Sequence, residues 1–193
     1  ILGGNVSLEG VSKDKKFTWL TGTRYKTNQY LLGALDTKAE YKPVFTDFQT
    51  QLSYAFNKRW ELEFLGTLSD NQYNFIPKVK TTQFGSIGQV YQLKVYYEGQ
   101  EKDRFTTSMG ALTLNYKHTD KLSMKWIASV FKTDEFENYD LLGQYWINDM
   151  GAALNKNNDS IAAIGVGSFL MHARNRLNAN VFSFAYKAKY KGS

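Results

Sequence analysis

Apolar and polar residues alternate through positions 46–68, and the alternation is interrupted only at Asn57-Lys58. Because side chains on a strand point to opposite faces at successive residues, this pattern predicts two long strands joined by a tight turn. One face of the predicted hairpin is apolar, with aromatic residues beside the turn. The other face is polar and carries Glu61 and Glu63.

The same alternation recurs at 1–10, 16–27, 105–118, 122–134 and 176–191. It predicts an all-β fold, an antiparallel up-and-down meander of about seven long strands. Tight turns are expected at 11–15, 57–58 and 118–121, and long connections at 28–43, 77–104 and 140–175. Alternate connections of a meander lie on the same side, so we expect the tight turns on one rim and the long loops on the other.

The long connections contain weaker local signals. We expect one helical turn at 31–35 and a short amphipathic helix at 144–154. Positions 78–104 are expected to be irregular, with an extra hairpin arm at QVYQLKVYYEG as the alternative.

Composition narrows the function classes. The 193 residues include no Cys, which excludes a disulfide framework, and the net charge of +6 comes from basic residues scattered among acids. We therefore do not expect nucleic-acid binding. The sequence contains no run of about 18 apolar residues, so no transmembrane helix is predicted. A negative mean hydropathy is compatible with a soluble sheet and with the half-apolar strands of a membrane barrel.

Aromatic residues gather at the turn-side ends of the predicted strands, on the apolar face. Rings at one level are typical of the aromatic belt at a membrane interface. We therefore expect the apolar face to contact outer-membrane lipid and the polar face to line water; a soluble barrel with an aromatic core is the alternative. The residues of this predicted girdle are Trp19, Tyr54, Trp60, Tyr116, Trp126 and Tyr186.

Several stretches resemble the barrel of TonB-dependent outer-membrane receptors with long loops. They are YLLGALDTKAEYKP, LSDNQYNFIPKVKTTQFGS, VYYEGQEKDRFTTSMGALTLNY, LLGQYWINDMG and HARNRLNA. The resemblance implies a plugged barrel of about 22 strands in the cell outer membrane. Such a receptor imports a scarce nutrient with energy delivered by a TonB partner.

The family's plug and TonB-contacting segment have no counterpart in this sequence. Residues 1–193 are therefore expected to be an interior part of a single barrel domain. Its open edges would pair with the missing barrel strands or with another copy.

No motif in the sequence predicts catalysis, a cofactor or a metal site. Glu61 and Glu63 are about 7 Å apart on one strand face, and we expect them to be charges in water or against a plug. His118 and His172 are far apart in sequence, and the chain has no Cys that could act as a further metal ligand beside them, so we expect no transition-metal site. Asn155, Asn157 and Asp159 have the spacing of early calcium-loop ligands but lack the Gly and Glu that complete such a loop.

The leading hypothesis is a non-enzymatic segment of a nutrient receptor whose long loops help to capture ligand. The loop residues considered for ligand contact are Tyr145, Trp146, His172 and Arg174. Two alternatives stay open. One is a small complete outer-membrane barrel, an enzyme or an adhesin, and the other is a soluble up-and-down barrel that binds a small apolar ligand.

Overall fold

The computed structural model describes residues 2–34, 39–86, 88–150 and 163–192. These residues form eight strands and one short helix. The strands are β1 (Leu2–Val11), β2 (Phe17–Thr27), β3 (Ala39–Ala55), β4 (Trp60–Pro77), β5 (Lys80–Ser86), β6 (Gln89–Lys117), β7 (Leu122–Asp149) and β8 (Ala163–Tyr190). The helix α1 (Gln29–Ala34) follows β2.

All eight strands belong to one antiparallel sheet. Seven of them follow the order β1-β2-β3-β4-β6-β7-β8, and β5 lies off this path and pairs with β6. The sheet is not closed, so β1 and β8 are its edges. The predicted antiparallel up-and-down meander is confirmed.

The tight turns are stabilised by their own polar side chains. Asn57 Oδ1 accepts hydrogen bonds from the backbone N–H groups of Arg59 (2.8 Å) and Trp60 (3.1 Å). Thr119 Oγ1 accepts equivalent bonds from Lys121 and Leu122. Short polar side chains of this kind replace missing backbone partners in a turn. The turns between β1 and β2, β3 and β4, and β6 and β7 lie on one side of the sheet, which we call the turn rim.

The predicted long connections are wrong in extent. Positions 80–86 and 89–104 form β5 and the first half of β6, so the hairpin alternative is right and the irregular interpretation is wrong. β7 continues to Asp149, and β8 begins at Ala163 rather than at 176. The helix predicted at 144–154 is contradicted over 144–149, which lie in β7. The predicted helical turn at 31–35 is present as part of α1, and residue 35 lies outside the described residues.

The pairing register extends two faces across the whole sheet. Leu62 lies directly opposite Leu114, and Glu63 lies opposite Thr113. We call the side with Leu62 and Leu114 the leucine face and the side with Glu61 and Glu63 the glutamate face. Among the described long-strand residues, the buried side chains Val95, Thr133 and Leu141 lie on the glutamate face. Large apolar side chains on the leucine face are exposed, including Phe182 at 80% and Phe184 at 72%.

Candidate functional site: the apolar band and its surroundings

An uncharged band crosses the leucine face beside the turn rim. On β4 it extends from Trp60 to Leu68, nine residues, after which Asp70 is the first charged side chain on this face. The other strands contribute Leu2–Gly10, Phe17–Tyr25, Phe48–Phe56, Gly110–Tyr116, Leu122–Val130 and Phe182–Tyr190. A transmembrane strand requires about 9–11 residues, so the band has the length needed for a bilayer.

Three threonines are the main polar side chains within this band, and each donates a hydrogen bond to a backbone carbonyl. Thr21 Oγ1 bonds to the carbonyl of Gln49 (3.2 Å), Thr23 Oγ1 to that of Asp47 (3.1 Å), and Thr50 Oγ1 to that of Leu20 (3.4 Å). A hydroxyl in hydrocarbon is costly unless it has a partner. These three hydroxyls are therefore compatible with an apolar solvent.

The band is slanted relative to the strand register. The cross-strand row that contains Phe182 on β8 reaches Leu8 on β1, whereas the band on β1 continues to Leu2, six positions further. At the limit beside the turn rim, the cross-strand row through Gly10 on β1 reaches Phe184 on β8, whereas the band on β8 continues six positions further, to Tyr190. The limit beside the turn rim therefore shifts by six residues between the two edge strands, and the opposite limit shifts by at least six, since the band on β1 reaches the first described residue. The band covers nine residues on each strand except β6, where it covers seven.

The slant gives the tilt of the strands. A shift of six residues over six strand steps is about 20 Å along the strands for about 29 Å across them, which corresponds to a tilt of about 35°. Strands in closed barrels tilt by about 35–45°. Nine residues at this tilt span about 22 Å along the normal, close to the apolar band of about 25 Å in outer-membrane barrels.

The structure places aromatic side chains of the predicted girdle side by side in the part of the band that lies next to the turn rim. Trp60 stacks on Tyr116 with ring centroids 4.2 Å apart, and Trp126 lies 5.6 Å from Tyr186. Tyr54 makes an edge contact with Phe56 at 5.1 Å. Trp19 lies over Gly10, where a Cβ atom would come within 2.6 Å of its ring. Aromatic pairs of this kind add about 0.5–1.5 kcal/mol beyond area burial.

Ion pairs begin on the leucine face immediately above the band, away from the turn rim. Arg104 pairs with Asp70 (2.8 Å), and Arg176 pairs with Asp134 (3.1 Å). Further along, Asp140 on β7 contacts Arg174 and His172 on β8. These seven residues, Asp70, Arg104, Asp134, Asp140, His172, Arg174 and Arg176, are called the charged ladder. Hydrogen bonds from Arg174 and His172 hold the pKa of Asp140 below its usual value.

The sequence-based placement of four ligand candidates in a loop is wrong. Tyr145 and Trp146 lie in β7, and His172 and Arg174 lie in β8. The Tyr145 ring covers Gly167 on the neighbouring strand, where a Cβ atom would come within 2.5 Å of Tyr145 Cζ. Trp146 packs edge-on against Tyr96 at 5.1 Å. All four side chains therefore contribute to strand pairing above the band; their contact with ligand stays a prediction.

The two glutamates of the glutamate face are held by polar neighbours. Asn115 Nδ2 donates to Glu63 Oε1 (2.6 Å) and to Glu61 Oε2 (3.4 Å), and Ser53 Oγ donates to Glu61 Oε1 (2.7 Å). Arg24 pairs with Asp47 on the same face at 2.6 Å. This face therefore carries charged side chains with polar or charged partners at the level where the leucine face is uncharged.

Three carboxylates lie together on the glutamate face above the band. Asp103 lies directly opposite Glu137, and Glu101 is two residues from Asp103. Burial, followed by the charge of Glu137, raises the pKa of Asp103; burial, followed by the charges of Asp103 and Glu137, raises that of Glu101. Asp103 Oδ1 has no hydrogen-bond partner among the described residues.

Sequence reasoning missed the charged ladder and the carboxylate trio. Their members are far apart in sequence, and the pairs form only through the register of β4, β6, β7 and β8. The sequence offers no clear signal for these pairs, because charged and apolar residues occur on both faces of β7 between Asp134 and Leu141. The calcium-loop candidates Asn155, Asn157 and Asp159 lie outside the described residues.

Comparison of the chain with protein-family models, curated proteins and solved structures finds no match. Within the described ranges, no group of three or more His, Cys, Asp or Glu residues has the geometry to hold a metal ion. No described helix is long and apolar enough to cross a membrane.

The carboxylate trio predicts a pH-dependent effect of Asp103→Asn. Because the pKa of Asp103 is raised in the folded state, its carboxyl group binds a proton more tightly there than in the unfolded chain. The folded state is therefore destabilised as pH rises from about 4 through the raised pKa. Asparagine removes this loss. We expect Asp103→Asn to slow amide hydrogen exchange of Glu135–Tyr139 at pH 7, which corresponds to a rise of up to about 1 kcal/mol in the free energy of local opening. At pH 4 the variant and the wild type should differ little.

Glu98→Gln is the matched control, since Glu98 lies on the same strand opposite the uncharged Leu142. It should leave exchange unchanged at both values of pH. Faster exchange in Asp103→Asn at pH 7 would show that the Asp103 carboxylate is stabilising, and would contradict the destabilising role assigned to it here.

Proposed function

We propose that this chain is a wall segment of an outer-membrane transport barrel, with the leucine face toward lipid and the glutamate face toward a water-filled lumen. The observation that carries the proposal is the uncharged band of seven to nine residues per strand, which is crossed by strands that tilt by about 35° from its normal. A slab of hydrocarbon imposes one height on every strand, and tilted strands then meet it at successively shifted positions.

The biochemical role proposed for the barrel is uptake of a scarce nutrient as a TonB-dependent receptor. The support is the sequence resemblance together with the unequal rims. Strands β6, β7 and β8 continue far beyond the band, on the side opposite the turn rim. In outer-membrane barrels short turns face the periplasm and longer loops face the exterior. The extended strands would therefore project outward and position ligand-contacting residues; a plug and TonB would act from the other side.

The alternatives fit less well. A small complete barrel requires its edge strands to pair, but in a seven-strand path of alternating directions β1 and β8 run the same way. A soluble barrel would enclose the leucine face. The large side chains of that face, among them Trp60, Trp126 and Phe184, would then fill a small interior.

Paired arginine substitutions test the orientation. Leu112 lies in the middle of the band, and its neighbour Thr113 faces the other side. Leu112→Arg in the parent barrel should lower the free energy of unfolding by about 2–4 kcal/mol in lipid. Thr113→Arg should change it by about 0.5 kcal/mol, because that position faces water. Denaturant unfolding in bilayers measures both, and equal losses would argue against the assigned faces.

Epitope tags test the direction of insertion and the transport role. A tag at Gly88, at the tip of the β5–β6 hairpin, should bind antibody on intact cells, and a tag at Lys58 should bind only after permeabilisation. Antibody bound at Gly88 should also reduce accumulation of a labelled nutrient taken up through the parent protein. A protonophore, which removes the energy supplied to TonB, should reduce it similarly. Labelling at Lys58 alone on intact cells would invert the topology, and uptake insensitive to the protonophore would contradict TonB dependence.

A further inference from the structure

A row of lysines follows the edge strand on the glutamate face near the turn rim. Lys187 and Lys189 occupy alternate positions of β8, and Lys191 follows them with its backbone N–H bonded to the Lys121 carbonyl at 2.8 Å. We call Lys187, Lys189 and Lys191 the lysine row. Alternate residues of a strand lie on one face about 6.6–6.8 Å apart, so the three ammonium groups form a regularly spaced series.

The nearby acids neutralise this row only in part, through a weak electrostatic interaction between Asp120 and Lys191. Lys187 lies directly opposite Lys125 on β7, and like charges in this position are unfavourable. Glu61 and Glu63 accept hydrogen bonds from Ser53 and Asn115. Asp120 pairs with Lys117 at 3.0 Å. No ion pair involves a member of the lysine row among the described residues.

The row lies beside an unpaired backbone edge. Within the described residues β8 pairs with β7 along one side, and no strand lies along its other side. In lipid each unpaired backbone group costs several kcal/mol, so a membrane-inserted β8 requires a further strand. The identity of that strand is constrained by direction and by charge.

Direction excludes a second copy as the antiparallel partner. β1 and β8 run the same way, and every copy inserted in the membrane with the same orientation presents both of its edges in that direction. An antiparallel partner of β8 must run like β7 and must therefore be a different segment. This step depends on the proposed membrane function; the charge pattern does not.

We propose that the edge of β8 pairs with an extended antiparallel segment that carries Asp or Glu at alternate positions, opposite Lys187 and Lys189. In an antiparallel pair, directly opposite side chains have Cβ atoms about 4.5–5.5 Å apart. Carboxylates at every second residue of the segment would all face the lysine row. The backbone ladder provides the pairing, and the alternating charges fix its register.

The test uses the 193-residue chain in detergent micelles and three labelled twelve-residue peptides. One peptide alternates Glu with β-branched residues, the second has the same composition with its Glu residues consecutive, and the third has Lys in place of each Glu. Fluorescence anisotropy should show the alternating-Glu peptide binding about tenfold more tightly than either of the others. Carbodiimide coupling followed by mass spectrometry should join it to Lys187 or Lys189.

Charge reversal provides the decisive variant. Lys187→Glu with Lys189→Glu should weaken binding of the alternating-Glu peptide about tenfold and strengthen binding of the Lys peptide. If this variant does not fold, Lys187→Gln with Lys189→Gln should still abolish the preference for Glu. The matched control is Lys102→Glu with Lys132→Glu, which makes the same charge change on the leucine face of β6 and β7 and should leave binding unaltered.

Equal binding of the alternating and consecutive Glu peptides would show diffuse anion attraction and would overturn the proposal. Cross-links formed between Lys187 of two copies by a bifunctional amine-reactive reagent, with no peptide bound, would identify a second copy as the occupant and overturn it equally. These failures are separable from failure of the proposed function. Leu112→Arg and Thr113→Arg report on the faces of the sheet, whatever segment lies at its edge.

Discussion

The backbone hydrogen-bond ladder is the constraint on which this structure depends. A strand can face hydrocarbon only if its N–H and C=O groups are paired with neighbouring strands. Within the band, the antiparallel register from β1 to β8 meets this requirement everywhere except at the two edges. The ladder also leaves one face free for apolar side chains. The hydroxyl groups of the three threonines in the band also donate hydrogen bonds to backbone carbonyls.

The sheet changes character above the band. There both faces carry charge, and neighbouring strands are joined by Asp–Arg pairs and by aromatic rings that cover glycines. Exposed ion pairs contribute little free energy individually, about 0–1 kcal/mol. Their main effect is to specify which residues lie opposite each other on strands of 28 and 29 residues. Rings such as Tyr145 over Gly167 act in the same way.

The sequence predicted the part of the fold in which alternation is strict. Trp60–Leu68 and Leu122–Val130 each alternate without a charged residue on one face, so their strands and the turns beside them were predictable. Beyond the band on β7, charged residues occupy both faces, and the alternation that identifies a strand is lost. Residues 163–171 are mostly apolar on both faces and include Gly165 and Gly167, and this composition is why 163–175 was assigned to a connection. The slant of the band and the pairing of Asp140 with His172 depend on register between strands, which one sequence does not encode locally.

The central proposal is that the leucine face contacts lipid over seven to nine residues per strand and contacts water beyond them. Tryptophan depth tests it directly, because Trp60 and Trp126 lie in the band and Trp146 lies on the same face of β7, beyond the charged ladder. Variants that retain one of these tryptophans, with the other three of the four tryptophans in the chain changed to Phe, would be placed in bilayers with lipids brominated near the headgroup or deep in the tail. The account predicts strong quenching of Trp60 and Trp126 by the shallow bromines, weaker quenching by the deep ones, and none of Trp146 by either. Equal quenching of all three, or of none, would contradict it.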